Sequence, residues 1–217
     1  MSAVAPALSP GLRHWPIGAG LLVLAVLWLS PLHSIAGRVF SAHMALHLGV
    51  VVVAAPLLGI GLKRWRSAVA GNQPRLIWAV IASVFEMLVV WGWHAPPLQQ
   101  AASTTTTAFV AQQFSFLLAG VWLWWVSFSG TTRAAAGVGS LAMLLTFMHM
   151  TMLGVLIALA PELLYASEVY AGDRFPEQLR DQRIGGVLMA IAGAVPYLIG
   201  GLVLANRLLG EGGSSPD

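Results

Sequence analysis

Long apolar runs separated by short polar stretches set the pattern of this chain. A helix needs about 20 apolar residues to cross the hydrocarbon of a bilayer, with roughly 17 to 25 tolerated. Six runs qualify: 16–32, 42–62, 76–93, 108–128, 138–160 and 184–206. A backbone in lipid must satisfy its own hydrogen bonds, so each run predicts a helix. The expected fold is all-α: a polytopic transmembrane helix bundle of about six spans, forming a single membrane domain with no soluble domain and no tandem repeat. The closing stretch 208–217, with its "GEGGSSPD", reads as a flexible tail.

Polar residues break the apolar runs at a few places, and these carry the interest. The stretch "HMALHLGVVVVAAPLLGIG" opens with His43 and His47, then turns apolar. Residues four apart share a helix face, so both rings can point at one metal ion. They are badly placed to be opposed axial ligands of one haem. His94 ends the third run in "WGWHAPPL", where Pro96 and Pro97 stop the helix and fix its depth. Asp181 opens the sixth run in "LRDQRIGGVLM". Three histidines and a carboxylate from three helices thus fall in one layer, in which Asp181 is expected to orient a ligand as an acceptor.

A deeper layer lies beneath. Glu86 is eight residues before His94, roughly 12 Å along a helix. His149 in "TFMHMTMLGVL" is about 11 residues inside its span end, roughly 16 Å on the same rise. An ionisable side chain at that depth is costly unless paired or wetted, so Glu86 and His149 are expected to be partners. Met87 shares a face with His94, and Met152 shares one with His149.

Charge gives an orientation. Only 9% of the 217 residues are charged, against about 25% in soluble domains, which places the chain in a membrane. With the N-terminus inside, the inner loops carry Arg13, Lys63, Arg64, Arg66, Arg75, Arg133 and Arg207, and the outer loops only Arg38, Arg174, Arg180 and Arg183. Positive residues favour the cytoplasmic side, so both termini are expected there and the histidine layer at the outer face. The alternative, a cleaved signal ending near Gly37, leaves His43 on the same side. Tryptophans near span ends, including Trp124 and Trp125, read as interfacial belts. The scattered basic residues give no reason to expect nucleic acid.

Composition narrows the chemistry further. There is no cysteine, so disulfides, zinc–thiolate sites and cysteine relays are excluded. Neutral imidazole suits copper, zinc, iron and nickel, and thioether favours Cu(I). A histidine layer above a methionine-bearing interior therefore points to copper. Ligand imidazoles must be neutral, so binding should weaken as pH falls past about 6.5. The plain structural reading competes: histidines at span ends serve the lipid–water boundary, and methionines pack cores. "TTTT" at 104–107 reads as a loop running into a helix cap, and Gln112 and Gln113 as interhelical hydrogen-bond partners. Gly185 and Gly186 allow close helix approach.

Five motifs, in order, carry a resemblance: "SPLHSIAGRVFSAHMALHLGVVVVAAPLLGIG", "WGWHAPPL", "QQFSFLLAGVWLWW", "HMTMLGVLIALAPELLY" and "LRDQRIGGVLM". The chain resembles the CtaG-type cytochrome c oxidase assembly factors, polytopic bacterial membrane proteins. The resemblance implies a non-enzymatic role in maturing the copper-B centre of a haem–copper oxidase. It points at His43, His47, His94, His149, Asp181 and Gln182, and it argues against cleavage at Gly37. Some members carry a histidine where this chain has Gln112 and Gln113, which would leave this site one ligand poorer. The implied setting is the bacterial plasma membrane, with an oxidase subunit as client, lipid as surroundings and a periplasmic copper donor upstream. An inner-membrane copper transporter and a membrane haem protein or quinone-linked reductase are the competing readings.

Overall fold

The computed structural model describes residues 10–66, 77–165 and 175–210. The tail 211–217, Arg75 and the segment with Glu168, Asp173 and Arg174 lie outside the described residues. Helices and short connections make up the described chain, with no strand among those residues. α1 spans Pro10–Leu29, α2 Leu32–Ala36 and α3 Phe40–Leu48. A π-helical turn at Gly49–Ala54 carries α3 into α4, Ala55–Arg66. α5 (Ile77–His94), α6 (Pro96–Thr104), α7 (Thr106–Ser129) and α8 (Arg133–Leu159) follow. α9 (Phe175–Leu188) continues through a second π turn, Met189–Gly193, into α10, Val195–Gly210.

Among the described residues, five helices are long and apolar enough to span a membrane: Phe40–Lys63, Ile77–His94, Thr106–Ser129, Arg133–Leu159 and Phe175–Gly210. The first run forms a shorter apolar helix, His14–Leu29, that lies along α4. The other five close a ring. α4 packs on α7, α7 on α5, α5 on α8, α8 on α9 and α10, and α9 returns to α3. Leu22, Leu88, Leu118, Leu156 and Leu202 face outward, while His47, Glu86, Gln112 and Gln182 are buried. A surface so apolar over a polar interior belongs in lipid.

Both π turns end just before a proline, Pro56 and Pro196. Proline has no N–H to bond the carbonyl four residues back, and its ring presses on that carbonyl. A widened turn relieves the clash and rotates the face that follows.

Three expectations need correction. The sixth span begins at Phe175, well before 184, so Asp181 sits inside its helix. The polar segment before residue 184 is helical without being apolar. Pro96 and Pro97 end α5 but also start α6, in whose first turn a missing N–H is harmless. Trp124 is buried, stacked on Phe128 at 5.5 Å and packed on Tyr197, so it is a core residue and not part of a belt. The Thr105 side chain does cap α7, accepting from Ala108 N at 3.4 Å.

Candidate functional site

The His43 helix starts where it does because another helix caps it. Val39 is extended and offers no side-chain cap. The Asp181 carboxylate on α9 accepts from the backbone N–H of Phe40 at 2.7 Å and of Ser41 at 3.2 Å. These are orphan donors of the first turn, and a negative charge there also suits the helix dipole. Asp181 therefore acts on the helix that carries His43 and His47; its two oxygens serve backbone, not a ring. This replaces the expectation that it orients a ligand imidazole. Loss of a helix cap costs about 1 kcal/mol. Asp181→Ala should lower the thermal unfolding midpoint measured in detergent, while Asp181→Asn, which still accepts, should lower it less.

The neighbouring Gln182 holds a cover over the layer. Its Oε1 accepts from Leu164 N at 2.7 Å and Tyr165 N at 3.3 Å, and its Nε2 donates to the Glu162 carbonyl at 3.2 Å. The loop so fixed presents Tyr165, whose hydroxyl donates to the His94 carbonyl at 2.8 Å. Burial raises the pKa of this phenol, which keeps it protonated as a donor. The Tyr165 ring stacks on Phe40 at 4.4 Å, and Phe40 in turn stacks beside His43.

Beneath the cover, His47 and His94 meet edge to face, ring centroids 5.4 Å apart. Phe116 of α7 packs against both, at 4.1 Å from His47 and 6.2 Å from His94. His43 lies one turn before His47 on the same helix face. The exposures are 2% for His43, none for His47 and 3% for His94, so water does not solvate these rings.

His94 Nδ1 lies 2.6 Å from the Val90 carbonyl. A carbonyl only accepts, so Nδ1 must carry the proton and Nε2 the lone pair. Nε2 has no hydrogen-bond partner, nor does Nε2 of His43 or either nitrogen of His47. Four buried, unpartnered nitrogens in one layer are costly to a fold that does not use them. A ring fixed through Nδ1 with Nε2 free is also how metal-ligating imidazoles are held. Among the described residues, no three His, Asp or Glu side chains are already gathered around a common point as a metal-donor set. The donor chemistry fits a copper ion; closing the set around one requires the rings to turn.

The second layer departs from expectation. Glu86 is fully buried, and its Oε1 accepts from the Tyr197 hydroxyl of α10 at 2.6 Å. A Cβ on Gly120 of α7 would stand 3.7 Å from that oxygen, so three spans converge there. His149 makes no hydrogen bond at either nitrogen and turns instead to a groove beside Met87 and Met152. The Ser83–Thr146 hydrogen bond, 2.9 Å, sets α5 and α8 in register, and Glu86 and His149 each lie three residues beyond it. They share a level, but no hydrogen bond joins them: Glu86 bonds to Tyr197 of α10, whereas His149 lines the groove.

Gln112 and Gln113 are both buried. Gln112 Nε2 donates to Gln99 Oε1 at 3.2 Å, tying α7 to α6, while Gln113 has no side-chain partner. Phe40, Phe116, Tyr165 and Tyr197 are the site residues that sequence reasoning passed over. Of these only Phe40, three residues before His43, carried a visible signal.

The fold and site define a polytopic helical membrane protein with a covered layer of unpartnered imidazoles at one end of its bundle. Residues 5–211 match the family of cytochrome c oxidase caa3 assembly factors (Caa3_CtaG), and the chain belongs to that family. Comparison with curated proteins and with solved structures gave no match.

Proposed function

We propose that this chain takes up copper at His43, His47 and His94 and passes it to the copper centre of a haem–copper oxidase during its assembly. The observation that carries this reading is the set of four buried ring nitrogens without partners. Family membership supplies the oxidase. The absence of cysteine keeps affinity moderate, which suits transfer. Transfer is ligand exchange, with no bond of a substrate made or broken, so the role is that of an assembly factor and not an enzyme. Seven of the 11 Lys and Arg residues fall on the side of the chain termini, which favours cytoplasmic termini and a histidine layer at the outer face of the plasma membrane. A periplasmic donor would load it from there.

Transport across the bilayer is the weaker reading. Beyond Glu86 the described interior is filled by Leu123, Trp124, Phe128 and Leu204, and its buried polar side chains are short hydroxyls such as Ser127 and Ser140, with no buried charge or imidazole among the described residues there. Haem ligation is weaker still, because the rings of His47 and His94 are in contact and leave no room for a porphyrin between them. The test is metal analysis of the oxidase purified from cells lacking this protein. Haem should be retained and copper lost, with copper restored by the wild-type chain but not by one carrying alanine at His43, His47 and His94. Oxidase with full copper, or without haem, would remove the proposal.

A further inference from the structure

The groove between α5 and α8 has a chemistry the histidine layer lacks. It encloses about 470 Å³ and is lined by Ser83, Met87, Met148, His149, Thr151 and Met152 among others. It opens sideways: Met148 is 64% and Met152 51% exposed on the lipid-facing surface. His149 is only 5% exposed, and neither ring nitrogen has a partner. Lipid tails cannot supply one, and a buried polar group left unsatisfied destabilises the fold. The Ser83–Thr146 hydrogen bond brings Met87, four residues on from Ser83, to the level of His149, three on from Thr146. Met152 follows His149 by one turn on the same face.

We propose that this groove is a second metal site, selective for Cu(I), in which His149 supplies one imidazole nitrogen and Met87 and Met152 supply thioethers. One nitrogen and two soft sulfurs suit Cu(I), which accepts low coordination numbers. No carboxylate lines the groove, so hard divalent ions gain little there. A monovalent ion also loses less on leaving water than a divalent one. Met87 lies seven residues before His94, so the site is about 10 Å deeper than the histidine layer. It is open to a partner within the membrane and closed to one in water. This deepens the copper hand-over reading and rests on it: the upper layer receives the ion, and the groove presents it sideways to a membrane-embedded client. Copper stays Cu(I) throughout, so no electron donor is required.

The experiment titrates the full chain in lipid nanodiscs with Cu(I) against a chromogenic Cu(I) chelator, and separately with Zn(II). The double variant Met87→Leu/Met152→Leu conserves volume and should fold. It should lose at least about tenfold in Cu(I) affinity at one site, lose sulfur scattering at the copper K-edge, and bind Zn(II) as wild type does. His149→Ala should do the same to Cu(I). The triple alanine variant at His43, His47 and His94 should lose Zn(II) and keep one Cu(I) with sulfur scattering. If the Met87→Leu/Met152→Leu chain binds Cu(I) like wild type, or wild type shows only nitrogen and oxygen scatterers, the groove is not a metal site. The hand-over reading survives that result, since it stands or falls on oxidase copper in the triple alanine strain.

Discussion

Alanine at His47 should cut copper affinity by at least about tenfold while leaving insertion and folding intact. Positioning groups around a metal already cost about 10–100-fold when lost, and a ligand should cost no less. His47 is the central ring of the layer, touching both His94 and Phe116. Its removal leaves a cavity, which destabilises. It also removes two buried nitrogens that the copper-free fold leaves unpartnered, which stabilises. The two effects oppose each other, so the copper-free variant should unfold near the wild-type temperature. Copper separates the two chains. At 100 times the dissociation constant a ligand stabilises by about 2.7 kcal/mol, and a site weakened tenfold gains only about 1.4 kcal/mol from the same copper, so the wild-type midpoint should rise by several degrees and the variant's by half of that or less. Calorimetry with and without copper measures both. Equal copper-induced shifts in the two chains would make His47 a packing residue.

The spans were legible because lipid imposes a simple demand, about 20 apolar residues with internal hydrogen bonds, that a linear sequence displays. What that demand does not impose was harder to read. α9 starts at Phe175 in a polar stretch, where hydropathy is silent. The level of Glu86 and His149 followed from rise per residue, but level is only one coordinate. Which way a side chain turns about the helix axis depends on packing, and here Glu86 found Tyr197. Tyr197 itself stands just after the Met189–Gly193 π turn, which breaks the regular spacing that would have placed it. Tyr165 sits in a loop with no periodicity, and only the Gln182 hydrogen bonds give it a position. The histidine layer was legible because i, i+4 spacing and a proline stop both act locally. Asp181 was legible as a member of the layer, but its use as a cap across 141 residues of chain was not.

Gly186→Ala should destabilise the fold by more than a typical added methyl, with an expected loss at or above the upper end of the 1–3 kcal/mol seen for overpacking. A Cβ at Gly186 would lie 2.5 Å from Ala158 N and 2.8 Å from the Gly154 carbonyl oxygen. A Cβ at Gly154 would in turn run into the Ala190 backbone nitrogen. The obstructing atoms are backbone on both sides, so no rotamer change relieves the clash and α8 must move away from α9. That seam cannot open in isolation. α9 carries Asp181, which caps the His43 helix, and Gln182, which holds the Tyr165 cover. Copper affinity should therefore fall together with the unfolding temperature. Gly154→Ala should behave alike, and combining the two should cost less than their sum, because both relieve themselves by the same separation. Gly92→Ala is the control: nothing lies within 4 Å of the added atom, and alanine is better than glycine in a helix by about 1 kcal/mol. That variant should be as stable as wild type or more so. Thermal unfolding in detergent, with copper affinity measured on the same preparations, reads all four chains. If Gly186→Ala unfolds at the wild-type temperature, the α8–α9 seam has slack, and the coupling from it to the histidine layer is absent.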